Sequence, residues 1–277
     1  MQSATLAEKE SIQASGGRVG NVKLTYLARG KPGPNNYAAF ITDTESWVTP
    51  RHKHTFDQMK ICLRGGTNYA GIETPAGSVV YIGESVHYGP QKREAGTLQF
   101  TVQFGGASGM GYVSGDERRA AMAELKKTGE FKDGVYTWVD KDGKRHNQDS
   151  FEVCVEHVLG RKLVYPKPRY NEMIVLNPDH YEWGKPDANG VSIKWLASFT
   201  ERGTRVGMVR LDAGATWNAG MHKAPEVLLV TKGSVRRGDT AHPLHTAFGL
   251  EPMEGPIAIH ADEPAELWYL QMPVHDD

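Results

Sequence analysis

Arg51-His-Lys-His-Thr-Phe-Asp-Gln-Met-Lys-Ile-Cys-Leu-Arg-Gly-Gly66 sets two histidines two residues apart, then a glutamine at 58 and a glycine at 65. On an extended strand successive side chains point to opposite faces, so His52 and His54 present both imidazoles to one side. Gln58 comes after a short turn, on the neighbouring strand. Continued alternation puts Lys60 and Cys62 on the face of Gln58, and Met59, Ile61 and Leu63 on the other. A third histidine, His87, follows in Tyr81-Ile-Gly-Glu-Ser-Val-His87. Two imidazoles from one strand and a third from a distant one, with Gln58 as a fourth donor, suit a divalent first-row metal. They leave positions for water or substrate. Taken alone, His52 and His54 also read as an exposed polar pair.

Around this stretch, short runs rich in Val, Ile, Tyr, Phe and Thr alternate with Gly and Pro, as strands and turns do. They predict strands over 22–28, 37–42, 58–63, 78–83 and 98–104. At Ser114 the texture changes. Ser114-Gly-Asp-Glu117, followed by Arg-Arg-Ala-Ala-Met-Ala-Glu-Leu-Lys-Lys127, predicts a capped helix that stops at Gly129. Asp142-Gly143 predicts a hairpin. Residues 147–186 hold Pro166, Pro168, Pro178 and Pro186 and read as a connector with little regular helix. Strands resume over 192–199, 205–211, 226–230, 248–251 and 267–271. The expected organisation is an N-terminal arm (1–20), a first β unit (21–112), a connector with helix and hairpin (113–186) and a second β unit (187–277). The arm is read as loose and polar.

Among 277 residues, 32 basic against 33 acidic side chains give a net charge of −1, which argues against a nucleic-acid or anionic-membrane surface. Apolar runs such as 226–231 are strand-length, far short of the ~20 residues that span a bilayer. The first residues lack a basic start and an apolar core, so no secretory signal is expected. Cys62 and Cys154 are the two cysteines, not at metal spacing, which fits a reduced cytoplasm.

The two β units share a motif. His52-x-His54, Gln58 and Gly65 resemble the first cupin motif, H-x-H-x(3,4)-E-x6-G, with Gln58 where the family usually has Glu. Gly83 and His87 resemble the second motif, G-x5-P-x-G-x2-H-x3-N, without its Pro, with one extra residue after Gly83, and with Gln91 for Asn. In the second half, Gly214, Gly220, His222, Glu226 and Gly233 match the first motif except that Gly220 replaces its first His. The chain thus resembles a bicupin. That implies an all-β fold of two tandem jelly-roll (double-stranded β-helix) barrels and a metal held by His52, His54, Gln58 and His87. It also implies a homodimer. In the second half His222 and Glu226 alone make a poor metal site, so that half is expected to be structural or to bind ligand without metal.

A glutamine ligand is neutral, leaves the metal its full charge, and favours a small anionic or chelating substrate such as an enolate, keto acid or catecholate. The reading taken forward is an Fe(II) dioxygenase, with Mn2+, Ni2+ or Zn2+ as other metals. The alternatives are a redox-neutral isomerase, lyase or decarboxylase, and a non-catalytic metabolite-binding protein. Lys60, if inward, pairs with an anionic substrate, and if a bulge follows the metal strand it lies on the surface. Tyr69, Tyr81 and Tyr88 flank the motif as hydrogen-bond donors, with Lys60 and Tyr81 taken as catalytic. Gln99, Thr101 and Gln103 form one polar row, read as a solvated outer face. An extra ligand from His157 in the connector is not expected.

Overall fold

The computed structural model describes residues 1–14 and 19–275. The predicted strands form, with Leu98–Phe104 and Arg205–Leu211 at their predicted bounds. They organise two systems of sheet. In the N-terminal half the order is Ile174–Leu176, Val79–Ile82, Asp57–Arg64, Leu98–Phe104, Tyr37–Thr49, Gln91–Arg93, Gly66–Tyr69 and Ile72–Pro75. Val19–Arg29 and Ile12–Ala14 extend it from Tyr37–Thr49, and the whole curls into a barrel-like sheet. In the C-terminal half a six-stranded and a four-stranded sheet face each other across an apolar core.

The halves exchange strands. Gln2–Thr5 pairs with Thr246–Leu250 of the C-terminal half, and Ile174–Leu176 pairs with Val79–Ile82 of the N-terminal half. The segment read as a loose arm therefore contains strands at 2–5 and 12–14, and the connector read as separate from the first β unit supplies one of its strands. In the arm, polar composition concealed this, because a short strand at a sheet edge needs backbone hydrogen bonds more than apolar side chains.

Ser114 caps helix α1 (Gly115–Leu125) with a reciprocal box: its hydroxyl accepts from Glu117 N at 3.3 Å, and its own N–H donates to Glu117 Oε2 at 2.7 Å. The Asp142-Gly143 hairpin joins Val135–Val139 to Arg145–Asp149. The expectation of little helix after 147 is corrected by α2 (Ser150–Leu159). Asp149 caps it by accepting from Phe151 N and Glu152 N, and Gly160 closes it in the left-handed conformation. The prolines lie beyond this helix and do not interrupt it. No helix is long and apolar enough to cross a membrane among the described residues.

Alternation on Asp57–Arg64 decides what faces where. Met59 and Ile61 join Val79, Tyr81, Phe100 and Phe104 in a core shared with Phe199, Leu229, Trp268 and Leu270 of the other half. Gln58, Lys60 and Cys62 turn the opposite way, into the interior of the N-terminal sheet, and all three are buried. Both faces of the strand are covered, one by apolar and one by polar neighbours.

Candidate functional site

The interior of the N-terminal half is polar, and the register builds it. Gln58, Lys60 and Cys62 lie opposite Gln103, Thr101 and Gln99 on the adjacent strand. The row read as a solvated outer face is thus an inner one, with Gln99 and Thr101 buried and Gln103 half-buried. Period-two alternation is identical for either face of a sheet, so the sequence alone could not choose. Tyr112 donates to Gln103 Oε1 at 3.1 Å, Gln103 Nε2 to Gln58 Oε1 at 3.2 Å, and Gln58 Nε2 to the Tyr88 hydroxyl at 3.0 Å.

Deeper in, Lys60 donates to Gln91 Oε1 at 3.2 Å, its ammonium 4.7 Å from the Tyr88 ring centre and 5.6 Å from that of Tyr69. The inward reading of Lys60 holds, at 5% exposure. Arg93, also buried, donates to Thr42 Oγ1 at 2.8 Å with its guanidinium 5.7 Å from the Trp47 ring centre. Sequence reading noted Gln91 only as the residue in the motif's Asn position and passed over Arg93. Gln-Lys-Arg-Glu-Ala-Gly looks like an exposed charged loop, and only the buried–exposed–buried pattern of Gln91–Arg93 reveals two inward side chains.

His52 and His54 do come together, their ring centres 4.9 Å apart in edge-to-face geometry. They lie between strands rather than on one: a two-way backbone bridge from His52 to Tyr88 holds the segment, and His52 Nδ1 lies 2.7 Å from Pro50 O. His54 stacks on Phe56 at 4.5 Å and meets Phe151 of α2 at 5.6 Å, so the connector closes over this end of the interior. His87 is different. It is exposed, and its imidazole is held below its ordinary pKa, first by loss of solvation and then by Lys53 and Arg51. Gln58 has both ends of its amide engaged. Among the described residues no three His, Cys, Asp or Glu side chains form a group that could hold a metal ion. The three histidines of the expected set are therefore not gathered into such a group. His52 and His54 are the assembled part of that set.

Tyr81 is not at this site. Its hydroxyl donates to Asp57 Oδ2 at 2.7 Å, and its ring stacks on Phe199 at 4.0 Å in the core between the halves. Burial raises its pKa well beyond the ordinary tyrosine value, and the Asp57 carboxylate adds to this. The odd–even rule explains the correction, since Tyr81 is the register partner of Met59, which faces away from Gln58 and Lys60.

The C-terminal half has a different filling. There Leu228, Val230, Phe248, Leu250, Ile259 and Leu267 pack the interior. Buried Glu226 pairs with His222 Nδ1 at 2.5 Å and accepts from the Tyr269 hydroxyl. At Gly220, where the motif has a histidine, φ is +95° and a Cβ would lie 2.4 Å from Glu254 O. The backbone approach excludes any side chain there.

Residues 171–271 match the family model of the ChrR Cupin-like domain. Solved structures extend the likeness to the whole chain. A proposed dioxygenase from Nostoc punctiforme superposes with a TM-score of 0.64 at 11% identity, covering 100% of this chain and 84% of that one. The fold is cupin-like. HEPD of Streptomyces albus, with 2-hydroxyethylphosphonate and Fe(II), gives a TM-score of 0.55 at 14% identity, covering 99% and 76%. A variant of oxalate decarboxylase from Bacillus subtilis gives 0.55 at 12%, covering 100% and 78%. No curated protein sequence matches the chain. The family match falls on the cupin-like half whose interior is apolar, while the polar interior belongs to the other half.

Proposed function

We propose that this chain is an enzyme with two tandem cupin barrels that acts on a small anionic molecule inside the N-terminal barrel. The observation that carries it is the contrast between the interiors of the two halves. An apolar filling stabilises by about 25 cal/mol per Å² of buried surface, whereas a buried lysine and arginine cost desolvation unless an opposite charge pairs with them. The C-terminal half takes mostly the first option, with Glu226 as a buried charge paired to His222, and the N-terminal half the second. Polar groups gathered in one interior are a common mark of a functional site. In this reading Lys60 and Arg93 hold the substrate's negative charge, the Gln58–Gln103–Tyr112 chain orients it, and Phe151 of α2 excludes water at the His54 end. HEPD and oxalate decarboxylase, each of the same fold, are named with small anions, which supports the substrate class.

The fuller reading, an Fe(II) dioxygenase, draws on the His52–His54 pair and on the Fe(II) of HEPD. It needs a third donor that neither His87 nor Gln58 supplies as placed, so no step is assigned to a metal. Metal content of untagged, chelator-free protein tests it. About one iron per chain, lost in His54→Ala and kept in His87→Ala, would establish a metal enzyme with a donor set other than the expected one. Retention in His54→Ala, or no metal after reconstitution, would remove the dioxygenase reading.

A further inference from the structure

We propose that the buried end of the N-terminal interior is a cradle for a short dicarboxylate, formed by Lys60 and Arg93 with Gln91 and Thr67. The proposal deepens the reading of this half as the substrate chamber. Gln91 and Arg93 stand two apart on one strand, so they share a face roughly 7 Å apart. Tyr69 and Thr67 are their register partners on the next strand and share that face. Lys60 reaches it from across the interior and ends on Gln91 Oε1.

That contact fixes the direction of the Gln91 amide. With Oε1 accepting from Lys60, Nε2 points elsewhere, and among the described residues nothing accepts its hydrogen bond although Gln91 is 2% exposed. The fully buried Thr67 hydroxyl likewise has no hydrogen-bond partner among the described residues. Buried polar groups almost always find partners, and two such groups on one face point to a ligand that supplies acceptors. The charges agree with this. Lys60 and Arg93 contribute two positive charges, while their neighbours Gln58, Cys62, Gln91, Gln99 and Thr101 carry no carboxylate. Lys60 ends on Gln91 and Arg93 stands two residues further along that strand, so the cations occupy separate positions that match the two ends of a short dicarboxylate better than one carboxylate group. Arginine adds planar, bidentate recognition, so the residue is not exchangeable with lysine.

Malonate is the probe, titrated calorimetrically into the full chain with and without chelator. Wild-type protein should bind it at least about tenfold more tightly than acetate, with the chelator making no difference. Arg93→Gln and Lys60→Met should each weaken it by about tenfold to a hundredfold, the usual worth of a charged hydrogen bond. Lys92→Gln, on the exposed side of the same strand, should leave it unchanged. If a variant does not fold, Trp47 emission decides: malonate should shift it in wild-type protein, and Trp47→Phe should remove the shift. Acetate binding as tightly as malonate, undiminished binding in Arg93→Gln, or no heat and no Trp47 shift would each overturn the cradle. Metal content and turnover are read separately, so the cradle and the enzyme reading can fail independently.

Discussion

Phe199→Ala tests whether the two halves share one core. Phe199 is 4% exposed, belongs to the C-terminal half, stacks on Tyr81 of the N-terminal half at an interplanar angle of 18°, and accepts at its carbonyl from the Tyr170 hydroxyl. Truncating a buried Phe costs about 3–5 kcal/mol from lost transfer and the cavity left behind, including about 0.5–1.5 for the ring pair. At about 2.1 cal/mol/K per residue, the unfolding entropy of 277 residues is about 0.6 kcal/mol/K, so Tm should fall by roughly 5–9 °C. Because Met59, Tyr81 and Phe100 share this cluster with Leu229 and Trp268, the loss should move the whole unfolding transition. Calorimetry, with far-ultraviolet and tryptophan signals followed together, reads this directly. Two resolved transitions, only one of them shifted in Phe199→Ala, would refute the shared core. So would a fall of less than about 2 °C.

Other consequences are separately measurable. Asp57, fully buried, is pushed up to a pKa of about 7 first by burial, with the Glu84 carboxylate adding and the Tyr81 hydrogen bond opposing. The native carboxyl stays protonated while the unfolded one ionises. The contribution of Asp57 to stability is therefore full below about pH 4 and declines by about 4 kcal/mol up to about pH 7. Urea unfolding across that range should show this decline in wild-type protein and a shallower one in Asp57→Asn, and equal slopes would exclude the assignment. Ser114→Ala removes one side of the capping box and should cost about 1 kcal/mol at unchanged denaturant dependence. A cost near zero would mean that the cap adds nothing to stability.

Much of the architecture was legible because strand patterning and turn chemistry are local. The run from Gln58 to Leu63, the Ser114 cap and the Asp142-Gly143 hairpin each follow from side-chain alternation or a few backbone hydrogen bonds. The nearness of His52 and His54 was legible because residues two apart stay close, although the strand expected to carry them is only an isolated bridge from His52 to Tyr88. Helix α2 was missed although Asp149 and Gly160 mark its ends, because the later prolines were given too much weight.

The sequence by itself determined the alternation, the caps and the paired histidines. It also determined that the second half carries glycine where the first carries His52. Only the tertiary structure decided which face of each strand is the inside. That choice placed Lys60 with Gln91 and near Tyr88, buried the Gln99–Gln103 row, moved Tyr81 to the core between the halves and left His87 in solvent. The physical reason is that a period of two specifies opposition without specifying direction. Direction comes from what covers each face, and those partners lie tens to more than a hundred residues away, as Phe199 does from Tyr81.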